Sequence, residues 1–391
     1  MAHKKYLRIL IASFCITLLP ILALNLILIN NSLQGHDNTR LASQWQHKTH
    51  GIVSAPSVLE NGYFKLLRLQ DRIQGINTVV FGASTSYAIE QNMFPESMRI
   101  YNFSKNGVGL NTMIAESEYL LKHNPDVKWF VIPLDWSIGF IYQNDALSVL
   151  DLSSDISQNE PQQPPLLQKI RDSLSYPRIE GLFRLLKTFF IAEQKIAAFR
   201  QIFLQPSSDS YRCADGIIAK DFDIQSRGNC RGFRDDGSWT FSGMDRVSNA
   251  HQTIMLATAF NSQYTKNLIK FKGIPNNLYL EHLADLTHRA EKRGGGAIFL
   301  MPPLLTGMEV QFTRDPRWQD YLAATKESLY KWAKRENVVL VDAGQSEKFD
   351  CHADDFTDAH HATQNCYRKV FSTFWQNASK PDGTPLLRSI H

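Results

Sequence analysis

The stretch Thr78-Val79-Val80-Phe81-Gly82-Ala83-Ser84-Thr85-Ser86 decides how this 391-residue chain is read. Its opening is short, apolar and β-branched, the pattern of a strand buried on both faces of a parallel sheet. Gly82 then permits a tight turn, and small hydroxylated residues follow it. A serine on such a strand-to-helix turn lies at the carboxyl edge of the sheet, where open α/β folds place their sites.

Outward from this point the pattern repeats. Ile100-Tyr101-Asn102-Phe103 is a second strand-like run, leading through Asn106-Gly107-Val108-Gly109 into helical periodicity from Asn111 to Leu121. A third run, Phe130-Val131-Ile132-Pro133-Leu134, ends at Asp135. Pro133 has no N–H to give to a ladder and belongs at a strand end or an edge. Ala297–Met301 and Val338–Val341 are two further strands, each preceded by a helical segment, at about 280–293 and 316–335. Strands alternating with helices predict a three-layer α/β/α domain with a parallel sheet. This domain spans 71–391. Between about 140 and 275 the alternation is lost, and a helical insertion or cap is expected there. It contains the breaker Glu160-Pro161-Gln162-Gln163-Pro164-Pro165, and Leu182, Leu185, Leu186, Phe189 and Phe190 at helical spacing. Residues 33–70 read as a polar connector with a short helix near Tyr63–Leu69.

At the N-terminus, Ile9–Ile29 is an apolar run of 21 residues, long enough to cross a bilayer core of roughly 30 Å. Lys4, Lys5 and Arg8 precede it, so the positive-inside bias puts the N-terminus in the cytoplasm and the body outside. A cleaved signal peptide is the alternative, but its apolar region is usually shorter and no small-x-small site follows. Residues 1–32 are therefore read as a cytoplasmic stub and transmembrane anchor. Removing those three cations from the 42 Lys and Arg leaves 39 against 38 Asp and Glu. So neutral a body offers no electrostatic footprint for nucleic acid.

Beyond Cys15, four cysteines fall into two local pairs, Cys213 with Cys230 and Cys351 with Cys366. An even number in an exported chain points to disulfides and an oxidising compartment such as a periplasm. Four cysteines allow three connectivities; the local pairing, the most economical, closes two loops of about 15 residues, each worth on the order of 3 kcal/mol. Neither pair has Cys-x-x-Cys spacing, so no metal is expected, and nothing calls for an organic cofactor.

The second chemical motif, Phe356-Thr357-Asp358-Ala359-His360-His361, follows the last strand. A serine hydroxyl is a weak nucleophile that needs a base, imidazole suits that task near neutrality, and a carboxylate fixes its tautomer. Ser84 is the candidate nucleophile with Ser86 the alternative; His361 is the candidate base with His360 the alternative. Either motif alone has a plain structural explanation, because Ser84 can cap a helix and Asp-x-x-His is common on surfaces.

With these two motifs at the ends of one sheet, the chain resembles the SGNH (GDSL-like) hydrolase superfamily. The likeness is to its membrane-anchored extracytoplasmic branch, which includes the teichoic acid D-alanyl-transfer protein and alginate O-acetylation proteins. It covers about 76–136 and 295–375. Gly82-Ala83-Ser84 matches the family's Gly-x-Ser and implies Ser84 as nucleophile. Tyr101–Gly107 is similar to the block whose glycine N–H serves the oxyanion hole, implying Gly107 alongside the Ser84 N–H. Asp358 and His361 match Asp-x-x-His. The implied fold is flavodoxin-like, and the implied reaction is acyl transfer or ester hydrolysis on a cell-envelope glycan, most plausibly of acetyl groups. An implied partner is a polytopic membrane acyltransferase that passes acyl groups outward across the inner (cytoplasmic) membrane.

One block departs from that family. Where an asparagine usually donates to the oxyanion, this chain has Pro133-Leu134-Asp135-Trp136, and an ionised Asp135 cannot donate. Losing one such donor typically costs about 3 kcal/mol in the barrier. Asp135 and His360 are candidate substrate-binding residues, with a purely structural role for Asp135 equally open. The departure also supports a second expectation, a non-catalytic scaffold or glycan-binding subunit that keeps the fold.

Overall fold

The computed structural model describes residues 2–30, 36–54, 61–134, 210–222, 230–241, 246–262 and 277–386, with isolated positions between 170 and 183. It divides into two compact units, residues 1–67 with 158–230, and residues 68–157 with 231–391.

The second unit is built on a five-stranded parallel sheet. Its strands are β1 (Thr78–Val80), β2 (Ile100–Asn102), β3 (Trp129–Pro133), β4 (Gly296–Met301) and β5 (Val339–Asp342). They lie in the order β5-β4-β3-β1-β2, all parallel. This is the doubly wound order with its reversal between β1 and β3, the place where such sheets open a crevice at their carboxyl edge. The five runs read from sequence are all strands. Pro133 closes β3 at its carboxyl end, where the missing N–H costs the ladder least.

Alternation decides the two faces. Val80, Ile100, Trp129, Val131, Ile298, Leu300, Val339 and Val341 point into one core with Phe312, Trp318, Tyr367, Val370 and Phe371. The last three lie on α4 (Gln364–Gln376), which follows α1 (Leu110–His123), α2 (Asn277–Glu291) and α3 (Pro316–Glu336). The opposite face carries Phe81, Phe103, Phe130 and Phe299. Phe299 meets the Trp332 ring edge-on at 4.9 Å, and the Trp332 indole N–H donates to Leu280 O of α2. Helices therefore cover both sides of the sheet. Asp315 caps α3, accepting from Arg317 N, with Pro316 at the first helical position.

The described part of the stretch expected to be a helical insertion is mixed instead. It holds short strands at Tyr211–Arg212, Ile218–Asp221, Gly232–Phe233 and Trp239–Thr240, a helix at Asn249–Asn261, and helical positions at 170, 179, 182 and 183. Runs of two to four residues without clear alternation leave too little periodicity to be seen in sequence. Of the apolar stripe from Leu182 to Phe190, only residues 182 and 183 fall among the described ones. Residues 135–169 lie outside them, and with them Asp135 and the proline-rich breaker.

In the first unit, the stretch read as a connector contains a helix (His36–Thr49) and a strand (Ile52–Ser54). That strand pairs in parallel with Ile218–Asp221, which pairs antiparallel with Tyr211–Arg212. Ile52 and Val53 are fully buried, so this segment is packed and not a tether. A helix spans Ala2–Asn30, and Lys5–Leu26 within it is long and apolar enough to cross a membrane, a test that a signal sequence also passes.

Both local cysteine pairs are disulfides, Cys213–Cys230 in the first unit and Cys351–Cys366 in the second. Opening the second bridge with Cys351→Ser and Cys366→Ser should cost about 3 kcal/mol, the chain entropy of a 15-residue loop. Urea unfolding of the full chain, with and without reductant, measures it.

Candidate active site

The strand β1 delivers Gly82 into a turn that only glycine accepts. Its φ is +142°, and a methyl group there would lie 2.5 Å from Ser86 Oγ and 2.8 Å from Pro133 Cγ. The chain then makes one 3₁₀ turn, Ser84–Ser86, closed by Ser86 N–H to Ala83 O and Tyr87 N–H to Ser84 O. Ser86 is fully buried with its hydroxyl packed against Gly82, whereas Ser84 remains partly accessible. The turn therefore presents the first serine and hides the second.

From the far end of the chain, the loop after β5 returns to meet it. His361 Nε2 is 2.8 Å from Ser84 Oγ, and His361 Nδ1 is 2.6 Å from Asp358 Oδ2. With the Nδ1 proton donated to Asp358, Nε2 is free to accept the Ser84 hydroxyl proton. Asp358 Oδ1 also accepts the backbone N–H groups of His360 and His361, each at 2.9 Å. Burial opposes the charge of Asp358, but the hydrogen bond from His361, the nearby His360 and His361 rings and the His360 N–H together hold its carboxyl well below the usual range. It remains an anion at any pH where imidazole can act as a base.

His360 takes a different place. It is exposed, its ring lies 4.1 Å from that of His361, and its Nδ1 is 3.4 Å from Asp358 Oδ1. Ser84 bonds to His361 and not to it. Asp358, His360 and His361 together bring three ligand-type atoms within 4.8 Å of one another.

The base loop is held on several sides. Phe356 and Ala362 bridge antiparallel, Thr357 N–H donates to His361 O, and Leu305 N–H donates to Ala359 O. The Cys351–Cys366 bridge encloses the loop and ties it to the start of α4. One face of α4, at spacing i, i+3, i+4, then reaches the nucleophile segment. Tyr367 OH donates to Thr85 O at 2.7 Å, and Arg368 pairs with Glu90. Gln364 donates to Trp239 O, while Trp239 N–H donates to Tyr87 O. Asn102, fully buried at the end of β2, donates to Ser86 O and Ile89 O and accepts from Ser104 N–H. The sequence singled out the Cys351–Cys366 pair among these supports, but not Glu90, Trp239, Gln364, Tyr367 or Arg368. A buried-strand asparagine and the Gln-x-x-Tyr-Arg spacing were the available signals, and neither has meaning until the partner segment is known.

Gly107 occupies the turn between β2 and α1 with φ +67°. The same loop is pinned by Lys105, whose N–H donates to Gly82 O and whose ammonium pairs with Glu116 of α1 in a buried site. Among the described residues, neither the Ser84 N–H nor the Gly107 N–H has a backbone acceptor. Asp135 lies outside the described residues.

Two outcomes follow. Gly82→Ala should destabilise the fold by about 2–4 kcal/mol, since the methyl group meets two atoms inside contact distance at an unfavourable φ; thermal melting of the purified chain reads it. Because folding depresses the Asp358 carboxyl, its contribution to stability is complete above about pH 4–5 and declines as pH falls toward its folded-state value. Asp358→Asn should therefore remove part of the slope of acid unfolding between about pH 5 and pH 2.

No known protein family, curated protein or solved structure matches this chain.

Proposed function

We propose that the protein is a membrane-anchored, extracytoplasmic serine O-acyltransferase or esterase of SGNH type, acting on acyl groups, chiefly acetyl, of a cell-envelope glycan. One observation carries this reading: an accessible serine, a histidine and a depressed carboxylate lie in hydrogen-bonded series across 277 residues of sequence. Surface histidines seldom meet a strand-turn serine at the carboxyl edge of a parallel sheet with their tautomer already fixed.

In this reading His361 removes the proton from Ser84 Oγ as the oxygen attacks the acyl carbonyl. Asp358 orients the ring and stabilises its cationic form. The Ser84 and Gly107 N–H groups stabilise the oxyanion. The protonated His361 then gives its proton to the departing oxygen, leaving an acyl-Ser84 ester. A sugar hydroxyl or water, deprotonated by the same His361, takes the acyl group and restores the serine. The residues themselves supply every proton transfer, so the scheme needs no metal and no organic cofactor.

The compartment follows from other features. Lys5–Leu26 supplies a span, the cations Lys4, Lys5 and Arg8 at its N-terminal end favour a cytoplasmic N-terminus, and two disulfides suit an oxidising space. We place the body in a periplasm on the inner membrane, receiving acyl groups from a polytopic acyltransferase. The resemblance to the anchored branch favours transfer over hydrolysis, and Asp135 stands where hydrolases of this type use an asparagine donor, which weakens efficient esterase activity. That aspartate also sustains the second reading, a glycan-binding scaffold without turnover.

The full chain in detergent should release p-nitrophenol from p-nitrophenyl acetate and be labelled at Ser84 by a fluorophosphonate. Ser84→Ala and His361→Ala should each lower turnover by about 10³-fold or more. Turnover unchanged in Ser84→Ala would overturn the mechanism. A wild-type chain with neither turnover nor labelling would favour the scaffold.

A further inference from the structure

The Asp358–His361 loop carries one group that the proton relay does not use. His360 lies against the base, half exposed, with its Nδ1 facing the same carboxylate. We propose that Asp358, His360 and His361 form an inhibitory site for a borderline transition-metal dication such as Zn²⁺, and that its occupation switches the serine off by changing the tautomer of His361.

The donor set suits that ion. Two imidazoles and one carboxylate with an open position for water are a common zinc environment, with bonds of about 2.0–2.2 Å. A tetrahedral ion at those lengths sets neighbouring donors about 3.3–3.5 Å apart. His360 Nδ1 and Asp358 Oδ1 already stand at 3.4 Å. His361 Nδ1 is closer to the carboxylate, at 2.6 Å, because a proton and not an ion lies between them. An ion there widens that gap by under 1 Å, a small movement of Asp358 Oδ2 away from the His361 ring. The two backbone N–H groups on Asp358 Oδ1 hold the ligand from behind.

The consequence is chemical. In the relay, His361 carries its proton on Nδ1 and offers the Nε2 lone pair to Ser84. An ion bound at Nδ1 displaces that proton to solvent, and the neutral ring takes one proton from solvent at Nε2. Charge and proton count on the ring are unchanged, but Nε2 becomes a donor toward Ser84 Oγ and can no longer accept its proton. The same ion neutralises Asp358, which otherwise stabilises the cationic ring. The site requires no part of the acyl-transfer reading to bind metal; only the switching consequence rests on it.

Zinc binding to the full chain in detergent is measured by isothermal titration for wild type, Ser84→Ala, His360→Ala and His352→Ala. The last variant alters another exposed histidine, 3.4 Å from Asp350, as a control for incidental surface binding. We expect one site of micromolar affinity in wild type, retained in Ser84→Ala and His352→Ala and weakened at least about tenfold in His360→Ala. No zinc uptake by wild type, or uptake unaffected by His360→Ala, overturns the site. Fluorophosphonate labelling of Ser84 is followed in parallel. Zinc should suppress it and EDTA restore it, and the zinc concentration for half-suppression should rise in His360→Ala in proportion to the lost affinity. Labelling that persists at saturating zinc overturns the tautomer switch. Failure to label Ser84 even in EDTA counts against the acyl-transfer reading, and the titration still decides the site.

Discussion

The hydrogen bond between Ser84 Oγ and His361 Nε2 is the contact on which the rest of the second unit converges. It joins a turn at the start of the sheet to a loop beyond its last strand. Such closure loses much chain entropy if it must be made at random. Here the sheet performs most of it, because β1 and β5 both end at the same edge. The remaining alignment comes from α4, whose Tyr367 and Arg368 reach Thr85 and Glu90. The fold itself thus holds the hydroxyl and the imidazole at hydrogen-bond distance.

Charge at the site is arranged with the same economy of parts. Asp358 is partly buried, and one of its oxygens receives two backbone N–H groups, from His360 and His361. The loop thus stabilises its own anion, and the anion fixes the ring that faces Ser84. The neighbouring His360 shares this carboxylate, its Nδ1 lying 3.4 Å from Asp358 Oδ1. Around Ser84, Asn102 and Gly82 act in complementary ways. The first fills the backbone acceptors of the turn, and the second removes the side chain that would keep Ser86 from packing.

The main sheet was readable because short apolar runs, most of them ending at Gly, Pro or Asp and alternating with helical periods, leave few alternatives to buried parallel strands. The helices at 110–123, 277–291 and 316–336 likewise announced themselves by period. The segment 33–54 and the strands at 211–240 did not. Their runs are two to four residues long and polar in part, and Ile52–Ser54 is buried only because Ile218–Asp221 pairs with it from 166 residues away. The hairpin carrying Trp239 has the same character: its main chain joins Tyr87 to Gln364, a role no local pattern encodes.

By itself the sequence determined the alternation of strands and helices, the apolar N-terminal run, the spacing of the cysteines and the presence of a Gly-x-Ser and an Asp-x-x-His motif, because each depends on neighbours within a few positions. Tertiary structure alone decided which serine is presented and which histidine is paired. Ser84 differs from Ser86 only in which way a 3₁₀ turn points it, and His361 from His360 only in which side of a loop faces the sheet. Those are matters of direction in space, settled by packing between segments nearly 280 residues apart, and adjacent residues of the same kind carry no local trace of them.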